Sequence, residues 1–389
     1  MKKLAIVTTH PIQYNAPWFR MLTERNRISV GVFYTWGQLE NGEKFDPGFG
    51  KAVAWDIPVL SGYRYTFVKN VSRDPGSHHY GGIDNPSLVH EIESWNPDAI
   101  LVFGWNFKSH LACIRHFHGK VPVYFRGDST LLDERRGRPV KKWLKKTWLT
   151  WMYRRIDAVF YVGQANRAYF SYYGVPPEKL VFAPHAIDNE RFATDTGSFR
   201  HAWGIPDDAI VFLFAGKFEQ KKDPQLLLDA FMQLNHAGTF LVFAGNGRLE
   251  HKLMEQAKAS PQDVQNRIKF VDFQNQQAMP AVYRSADVFV LPSQGPGETW
   301  GLSVNEAMAC GRATLVSDRC GCHDDLVEAG RNGWVFRSGD KQDLAAKMKT
   351  LSECRKLDDM GRASSEKIRD WSFEHICQAI ENRFLKEEH

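Results

Sequence analysis

Two glutamates and a cluster of glycines follow an apolar run in the segment 286–311, which reads ADVFVLPSQGPGETWGLSVNEAMACG. The run predicts a strand that ends near Pro292, and a glycine-rich loop leads from it to a helix that begins near Leu302. The free N–H groups at the start of such a helix attract anions, including phosphates. Glu306 lies about one turn inside the helix, where a carboxylate can accept hydrogen bonds from two vicinal hydroxyls of a ribose, and Glu298 in the loop can face a sugar. The spacing fits equally well an exposed Glu298 and a Glu306 that caps the helix or pairs locally.

A second candidate segment, AGKFEQKKDPQLLLDAF (215–231), places Gly216 and Lys217 at the end of an apolar run and Lys222 just before the next predicted helix. Glycine lets the backbone approach a ligand closely, and the lysines supply positive charge for phosphate oxygens. Lysines solvated in a surface loop would give the same pattern. The chain has no G-x-x-x-x-G-K-[ST] motif, and FAGNGRLE (243–250) is not G-x-G-x-x-G, which argues against an ordinary NTPase and against hydride chemistry on a dinucleotide.

The elements that must position these residues follow an α/β pattern. Short apolar runs alternate with helix-length segments, which predicts strands buried in parallel sheets. The pattern restarts near residues 186–205, and 389 residues exceed the size of one hydrophobic core, so we expect two doubly wound domains with a ligand site in the cleft between them. The predicted strands are 4–9, 30–35, 99–104, 122–127, 158–163, 180–185, 210–217, 239–247, 268–273, 287–293, 313–318 and 333–336, and 371–389 is a predicted final helix.

The composition is that of a globular protein, with 43% hydrophobic and 24% charged residues and a mild net charge of +5. No apolar run is long enough to span a bilayer, and the run after Lys2 and Lys3 is too short for a signal peptide, so we expect a cytoplasmic location. In such a chain we expect the six scattered cysteines to form no disulfides. Cys320-Gly-Cys322-His323 has the look of a metal-site fragment, but no second ligand pair follows at a zinc-like spacing, so we expect no metal.

The segment 286–311 resembles the signature of the retaining glycosyltransferases of family 4, which have the two-domain GT-B fold. Their Glu-x(7)-Glu motif has the spacing of Glu298 and Glu306, and AGKFEQKKDPQLLLDAF and AIDNERF (186–192) are similar to two further segments of that family. The resemblance extends over most of residues 155–375, and THPIQYNAPWF (9–19) looks like a subgroup with an HPIQY opening. It implies an acceptor-binding domain at 1–190, a donor-binding domain at 191–370 and a helix at 371–389 that returns to the first domain.

The resemblance also implies a nucleoside diphosphate sugar as donor, with no metal or other cofactor. Glu306 would hold the ribose and Glu298 would contact the sugar, while cations would stabilise the charge that grows on the departing diphosphate. Lys217 stands where the family usually has arginine, so the bidentate fork is lost but the charge is kept. The implied donor-binding residues are Gly216, Lys217, Lys222, Glu298, Thr299, Gly301, Leu302, Ser303 and Glu306, and the catalytic candidates are Glu298, Lys217, Lys222 and Asp128.

Candidates for acceptor binding follow the strands of the N-terminal half. The family often carries His-Asp after the strand that matches PVYFRGDS (122–129), whereas this chain has Arg126 and Asp128 and no histidine. Asp128 then does the positioning, and Arg126 pairs with it or with an acidic acceptor. His10, which equally fits a structural bond in a turn, belongs to the same group of candidates with Gln13 and Tyr14. Trp105, Asn106 and His110 are weaker candidates and fit buried packing at least as well.

The segment ERRGRPVKKWLKKTWLTWMYRR (134–155) concentrates nine basic residues around Trp143, Trp148 and Trp151. A helical arrangement places Val140, Leu144, Trp148, Trp151 and Met152 on one face, which suits an anionic membrane surface. An ordinary domain helix, with tryptophans in the core and lysines in water, fits as well. No nucleic-acid module accompanies the charges, so we expect no nucleic-acid partner.

Together these features predict a glycosyltransferase that moves a sugar from a nucleotide sugar to a glycan or lipid-linked acceptor. Synthesis of a bacterial cell-surface polysaccharide or lipopolysaccharide is the expected setting, at the inner face of the cytoplasmic membrane if the basic helix binds lipid. One alternative is a nucleotide-sugar 2-epimerase of the same fold, against which the intact Glu-x(7)-Glu context argues. The other is a non-catalytic partner protein that binds a nucleotide sugar, which the presence of both glutamates and both lysines disfavours.

Overall fold

The structure is a computed structural model that describes residues 1–37, 44–46, 51–53, 56–134, 139–194 and 196–386. Its contacts divide the chain into two compact units. The N-unit comprises residues 1–44, 57–184 and 373–389, and the C-unit comprises residues 45–56 and 185–372. The limits predicted from the sequence are 190 and 370, and the assignment of acceptor and donor to the two domains stays a prediction.

The N-unit is built on a parallel sheet of seven strands. Along the chain the elements up to residue 184 are β1 (Lys3–Thr8), α1 (Ala16–Glu24), β2 (Ser29–Tyr34), β3 (Lys44–Asp46), β4 (Lys51–Val53), β5 (Arg64–Phe67), α2 (Leu88–Trp95), β6 (Ala99–Phe103), α3 (Lys108–Phe117), β7 (Val123–Arg126), α4 (Pro139–Tyr153), β8 (Ala158–Tyr161), α5 (Gln164–Tyr172) and β9 (Leu180–Phe182). The strand order is β5-β2-β1-β6-β7-β8-β9. The strands β3 and β4 form a separate two-stranded sheet, which except for Lys44 belongs to the C-unit.

The C-unit repeats this plan with six parallel strands in the order β12-β11-β10-β13-β14-β15. Its elements, and the helix that follows them, are α6 (Asn189–Thr194), β10 (Ile210–Ala215), α7 (Pro224–Leu234), β11 (Thr239–Ala244), α8 (Glu250–Lys258), α9 (Gln262–Asn266), β12 (Ile268–Val271), α10 (Met279–Arg284), β13 (Val288–Leu291), α11 (Leu302–Ala309), β14 (Ala313–Ser317), α12 (His323–Leu326), β15 (Gly333–Phe336), α13 (Lys341–Ser352), α14 (Leu357–Ile368) and α15 (Phe373–Leu385).

The burial of the central strands explains why the apolar runs of the sequence could be recognised as strands. Residues Leu4–Val7 of β1 and Val211–Phe214 of β10 are fully buried, because helices cover both faces of a parallel sheet. In each sheet the order of strands reverses beside the first strand, between β1 and β6 and between β10 and β13, which is where ligands bind in doubly wound sheets. The predicted α/β class with two Rossmann-like domains is confirmed. The edge strand β5 was not predicted, because its sequence RYTF is half polar and not a continuous apolar run. Its first two residues are exposed.

The last helix belongs to the N-unit. Glu381 on α15 is fully buried, and its two carboxylate oxygens accept hydrogen bonds of 2.8 Å from Nε and Nη2 of Arg25, which follows α1. Arg27 adds a third bond of 2.8 Å to the same carboxylate. This network holds α15 against α1. Within the described part of the chain, no helix is both long and apolar enough to cross a bilayer.

Candidate functional site

The core of the candidate site is an ion pair between two loops of the C-unit. Nζ of Lys222 donates to Oε2 of Glu298 at 2.7 Å, and the hydroxyl of Ser293 donates to the same oxygen at 2.9 Å. The two charged side chains are only 16% and 10% exposed. Burial alone would raise the pKa of Glu298, but Lys222 and Ser293 outweigh it and lower that pKa. Burial likewise opposes the charge of Lys222, but Glu298 more than compensates, so the pKa of Lys222 is raised. Both groups are therefore charged near neutral pH.

The sheet brings these two loops together. The Lys222 loop follows β10 and the Glu298 loop follows β13, and these strands are neighbours at the point where the strand order reverses. Gly216 begins the Lys222 loop with a φ of +151°, and a Cβ there would lie 3.4 Å from the Lys222 side chain. The loop ends at Asp223, whose carboxylate accepts a hydrogen bond from the backbone N–H of Leu226 and so caps α7.

The Gly-Asn-Gly sequence at 245–247 supports the same loop. A Cβ on Gly245 would lie 2.1 Å from the carbonyl oxygen of Gly216, so only glycine allows this approach. The backbone N–H of Phe218 donates to the carbonyl of Asn246 at 2.9 Å. The segment that lacks a dinucleotide fingerprint thus has a clear role in positioning the Lys222 loop.

Glu306 lies inside α11 and is only 3% exposed. The hydroxyl of Tyr283, on α10, donates to its Oε2 at 2.7 Å. The neighbouring Asn305 accepts a bond of 2.9 Å from the indole N–H of Trp300 and donates to the carbonyl of His185 at 3.0 Å. Tyr283 and Asn305 were not singled out from the sequence, because nothing local in their surroundings marks them.

The start of α11 is open in the way that an anion site requires. Gly301 precedes the helix with a φ of +103° and has no side chain with which to cap it. The N–H groups of Leu302 and Ser303 have no acceptor within the helix, whereas that of Val304 donates to the carbonyl of Gly301 at 2.9 Å. The predicted start of the helix at Leu302 is confirmed.

A tight turn at Cys320–Cys322 holds the Glu298 loop from behind. The backbone N–H of Gly321 donates to the carbonyl of Glu298 at 3.1 Å, and that of Cys322 donates to the carbonyl of Trp300 at 3.1 Å. A Cβ on Gly321 would lie 1.7 Å from the carbonyl oxygen of Thr299. Gly321 is therefore a positioning residue, and no local sequence pattern identifies it as one.

The cysteines of this turn are buried and free, and burial raises the pKa of Cys320 to about 12, so its thiol is protonated. Among the described residues, the one group of three or more potential ligands whose atoms lie within 4.8 Å of one another is Asp74, His78 and His79, all of them exposed. The Cys320-Gly-Cys322-His323 fragment is not such a group.

The remaining donor candidates, Lys217 and Thr299, are half-buried in the same loops. Lys217 directly follows Gly216, and Thr299 lies between Glu298 and Trp300. The structure thus gathers the predicted donor residues on three segments, namely the loop after β10, the loop after β13 and the first turns of α11. Their roles toward a ligand stay predictions.

In the N-unit, His10, Gln13 and Tyr14 are half-buried in the segment between β1 and α1. Nδ1 of His10 lies 3.0 Å from the hydroxyl of Thr9, and its ring packs edge-on against Trp36 at 5.4 Å. These contacts fit the structural interpretation of His10 and leave its role in acceptor binding as a prediction.

Arg126 is 4% exposed at the end of β7. Its Nη1 and Nη2 donate to the carbonyls of Ala183 and Pro184, each at 2.8 Å. Burial lowers its pKa to about 10, against the effect of the nearby Asp128, which raises it. The guanidinium therefore anchors Ala183 and Pro184, which directly follow β9, to the end of β7. Asp128 is half-buried and thus closer to the surface than Arg126.

His110 and Trp105 follow the structural alternative. His110 is fully buried, its Nε2 lies 2.9 Å from the hydroxyl of Thr35, and its Nδ1 donates to the carbonyl of Phe103 at 2.8 Å. Burial lowers its pKa to about 4, so it is neutral. Trp105 packs against Trp148 with ring centroids 4.8 Å apart.

The basic segment forms α4, but its faces differ from the prediction. Met152 is fully buried and Trp148 is half-buried, so these two residues face the N-unit and not the solvent. The exposed apolar side chains are Val140, Trp143, Leu144 and Trp151, at 68%, 66%, 55% and 40%. The prediction erred because residues 139–147 are all exposed, so only the second half of the helix has a buried face. The residues 135–138 of the predicted segment lie outside the described residues.

The family models match both units of the chain. "Glycosyl transferases group 1" matches residues 195–367, and "Glycosyltransferase Family 4" matches residues 48–191. The chain therefore belongs to the glycosyltransferases of the family 4 type, and the predicted resemblance to that family is confirmed. The subgroup with an HPIQY opening stays a prediction.

Individual relatives agree with this assignment. The chain is 28% identical over 201 residues to a D-inositol 3-phosphate glycosyltransferase of Geodermatophilus obscurus, a match that covers 49% of this chain and 44% of the relative. It is 27% identical over 207 residues to the putative colanic acid biosynthesis glycosyltransferase WcaL of Salmonella typhimurium, covering 52% of this chain and 49% of the relative. The matches thus span somewhat less than half the length of these relatives.

Solved structures share the fold over the whole chain. The crystal structure of Anabaena Alr3699/HepE in complex with UDP and glucose aligns with a TM-score of 0.69 at 18% identity, and the alignment covers 99% of this chain and 100% of that one. At this identity the likeness shows the fold alone.

Proposed function

We propose that this protein is a retaining, metal-independent glycosyltransferase that moves a sugar from a nucleoside diphosphate sugar to a glycan or lipid-linked acceptor. The observation that carries the proposal is the convergence of Lys222, Glu298 and the open start of α11 beyond the carboxyl ends of β10 and β13. Fixed positive charge, a buried carboxylate and free N–H groups at one sheet edge are what a sugar diphosphate requires.

In this proposal the diphosphate lies at the start of α11, where the N–H groups of Leu302 and Ser303 donate to it. The bond between the anomeric carbon and the diphosphate oxygen breaks, a bond from that carbon to an acceptor hydroxyl oxygen forms, and the hydroxyl proton leaves with the products. Negative charge grows on the diphosphate as the first bond breaks. Lys217 and Lys222 stabilise that negative charge, because their positive charges are in place before the reaction starts and need no reorganisation.

The two glutamates would bind the two ends of the donor. Glu306, held by Tyr283, would accept hydrogen bonds from the ribose hydroxyls. Glu298 would contact the hydroxyls of the transferred sugar and at the same time hold Lys222 in place. Relatives support this class of donor, since the Anabaena protein was solved with UDP and glucose.

We also propose that α4 brings the protein to an anionic membrane surface on which a lipid-linked acceptor lies. Between residues 139 and 155 there are six basic residues and no acidic one. Val140, Trp143, Leu144 and Trp151 repeat at three-, four- and seven-residue intervals and form one exposed stripe on the helix. An apolar stripe that contains tryptophan and is flanked by cations suits the interface of an anionic bilayer. A cytoplasmic enzyme at the inner face of the membrane is consistent with this surface, with cell-surface polysaccharide or lipopolysaccharide synthesis as the setting.

The test is a nucleotide-release assay of the purified protein with UDP-, GDP-, ADP- and TDP-sugars, with EDTA present and absent. We expect slow hydrolysis of one donor, unaffected by EDTA and abolished in Glu306→Ala. Conversion of a donor into its 2-epimer would instead identify the epimerase. Binding of a nucleotide sugar with no turnover, even with membrane extracts as acceptor source, would identify a non-catalytic protein. Proton NMR of the product anomer distinguishes retention from inversion.

A further inference from the structure

A cavity of about 480 Å³ lies within the C-unit, away from the loops of the candidate donor site. It is formed by the end of α11, the turn at Cys310–Arg312 and one side of α14. Cavities of roughly this size accommodate small-molecule ligands. Six charged side chains line it, namely Arg284, Arg312, Arg362, Arg369, Asp358 and Glu366, so the lining has four positive and two negative charges and a net charge of +2.

Arg284 and Arg312 are bound to neutral partners. Arg284 donates from Nη2 to the carbonyls of Phe192 and Ala193, at 2.9 and 2.7 Å. Arg312 donates to the carbonyls of Cys310 and Ala286, at 2.9 and 2.8 Å. In the part of the chain that the structure describes, neither guanidinium forms a salt bridge with a carboxylate, and Nε of Arg284 is buried without an acceptor. Two guanidinium charges are thus fixed at the cavity without a bound counter-charge.

These charges also affect each other. Burial lowers the pKa of Arg312, and the nearby charge of Arg284 lowers it further. Asp287, Cys310 and Asp358 raise that pKa, Asp287 by more than Arg284 lowers it. Like charges held close together in a partly buried site repel each other, and an anion placed between them removes that repulsion. The electrostatics of the cavity therefore favour an oxyanion.

The cavity is part of the packed unit. A Cβ on Gly361 of α14 would lie 2.1 Å from the carbonyl oxygen of Gly311, so the helix and the turn are in direct backbone contact. The hydroxyl of Ser365 donates to the carbonyl of Met308 at 3.2 Å. These contacts fix α14 against the end of α11 and hold the arginines of both segments around one space.

We infer that this cavity is a second anion site, which binds a phosphate ion or a phosphate ester of a small molecule between Arg284, Arg312 and Arg369. The site is distinct from the proposed donor site, because α11 lies between them. The helix rises about 10 Å from Leu302, at the donor end, to Ala309, at the cavity. The volume exceeds what a lone phosphate fills, which leaves room for the organic part of an ester.

The test uses the whole protein and inorganic phosphate, followed by glucose 6-phosphate as a representative ester. Binding is read from the Nε–Hε signals of ¹⁵N-labelled arginine, assigned by substitution, because these report the cavity separately from any phosphate held at the donor site. We expect the signals of Arg284 and Arg312 to shift and to saturate. Arg369→Glu should weaken binding by about tenfold, and Asp358→Asn should strengthen it about twofold to threefold, since they change the local charge in opposite directions.

Arg355→Glu is the matched control. Arg355 is exposed, lies outside the cavity and gives the same change of net charge, so it should leave the affinity within about twofold of the wild type. Arg369 is also exposed and makes no side-chain hydrogen bond in the described structure, so its variant is expected to fold. The inference is overturned if the arginine signals do not shift, or if Arg369→Glu and Arg355→Glu weaken binding equally. Neither result would affect the proposed donor site.

Discussion

Nζ of Lys222 and Oε2 of Glu298 lie 2.7 Å apart although 76 residues separate them in the chain. The pair joins the loop after β10 to the loop after β13, and both side chains are largely withdrawn from water. A buried pair of this kind adds little net stability over an apolar pair of the same size, but either charge alone is costly. Its presence therefore points to a use for the charges other than stability.

This asymmetry predicts the behaviour of single and double variants. Lys222→Met leaves the carboxylate of Glu298 buried with Ser293 as its only side-chain donor among the described residues. We expect the variant to lower the free energy of unfolding by roughly 3 kcal/mol. Lys222→Met combined with Glu298→Leu should be less destabilised than Lys222→Met alone. Urea unfolding followed by tryptophan fluorescence measures both. If the double variant lost as much as the sum of the single losses, the two side chains would not be coupled.

The pair also predicts how stability depends on pH. The pKa of Glu298 is lowered by folding, so its contribution is fully present above the unfolded pKa, near 4.5, and is lost as the pH falls through the lower folded value. The pKa of Lys222 is raised, so its contribution is lost only as the pH rises above 10.5 and through the folded value. The stability difference between the wild type and Glu298→Gln should therefore be constant between about pH 6 and pH 9 and shrink below pH 4. Unfolding curves of both proteins at pH 7, 5, 4 and 3 test this, and a difference that grew toward acid pH would contradict it.

The hydrogen bond from Tyr283 to Glu306 leads to a third prediction. Its hydroxyl donates to the buried carboxyl group of Glu306, and removing one partner of a buried hydrogen bond costs about 1–3 kcal/mol. Tyr283→Phe should therefore lower the free energy of unfolding by about that amount. Under the proposed function it should also raise the KM for the donor more than it lowers kcat, because Glu306 binds the ribose and not the reacting carbon. A fall in kcat at unchanged KM would place Glu306 nearer to the chemistry.

Much of this architecture was predictable from the sequence, and the reasons are local. Strands such as β10 are continuous apolar runs, and α11 begins where a glycine precedes a helical pattern. The site residues that a family motif contains, such as Glu298 and Lys222, could be named before their contact was known. Tyr283 and Gly321 could not, because their roles depend on which segments the sheet brings together. The prediction of the buried and exposed faces of α4 was wrong for the same reason. A hydrophobic period of 3.6 residues does not show which part of a helix packs against its domain.

Gly321 offers a direct test of this long-range support. Gly321→Ala would place a methyl group 1.7 Å from the carbonyl oxygen of Thr299, so the turn and the Glu298 loop must move apart. We expect the variant to remain folded but to lose nucleotide-dependent thermal stabilisation, because Glu298 and the start of α11 are displaced. Gly238→Ala is the control, since a Cβ there meets only the His236 ring, at 3.6 Å. Equal nucleotide responses of the two variants would show that the turn does not position the site.

The exposed stripe of α4 predicts binding to anionic lipid vesicles. Trp143 and Leu144 are more than half exposed, and Lys141 and Lys146 lie on either side of them on the helix. In flotation with vesicles of phosphatidylglycerol and phosphatidylcholine, we expect Trp143→Ser/Leu144→Ser to weaken binding at least about tenfold, because two apolar side chains no longer enter the interface. Added salt should weaken wild-type binding as well, since the basic residues contribute about 1 kcal/mol each near an anionic surface.

Tyr80→Ser provides the comparison for this last experiment, because Tyr80 is 51% exposed on the N-unit and has no cluster of basic residues beside it in the sequence. It should bind vesicles as the wild type does. Equal binding of the wild type to neutral and anionic vesicles would show that the basic residues do not contribute. If both variants bound vesicles equally well, α4 would not be a membrane surface. Its tryptophans would then have to be covered by a protein partner, because an exposed apolar stripe on a helix is costly to leave in water.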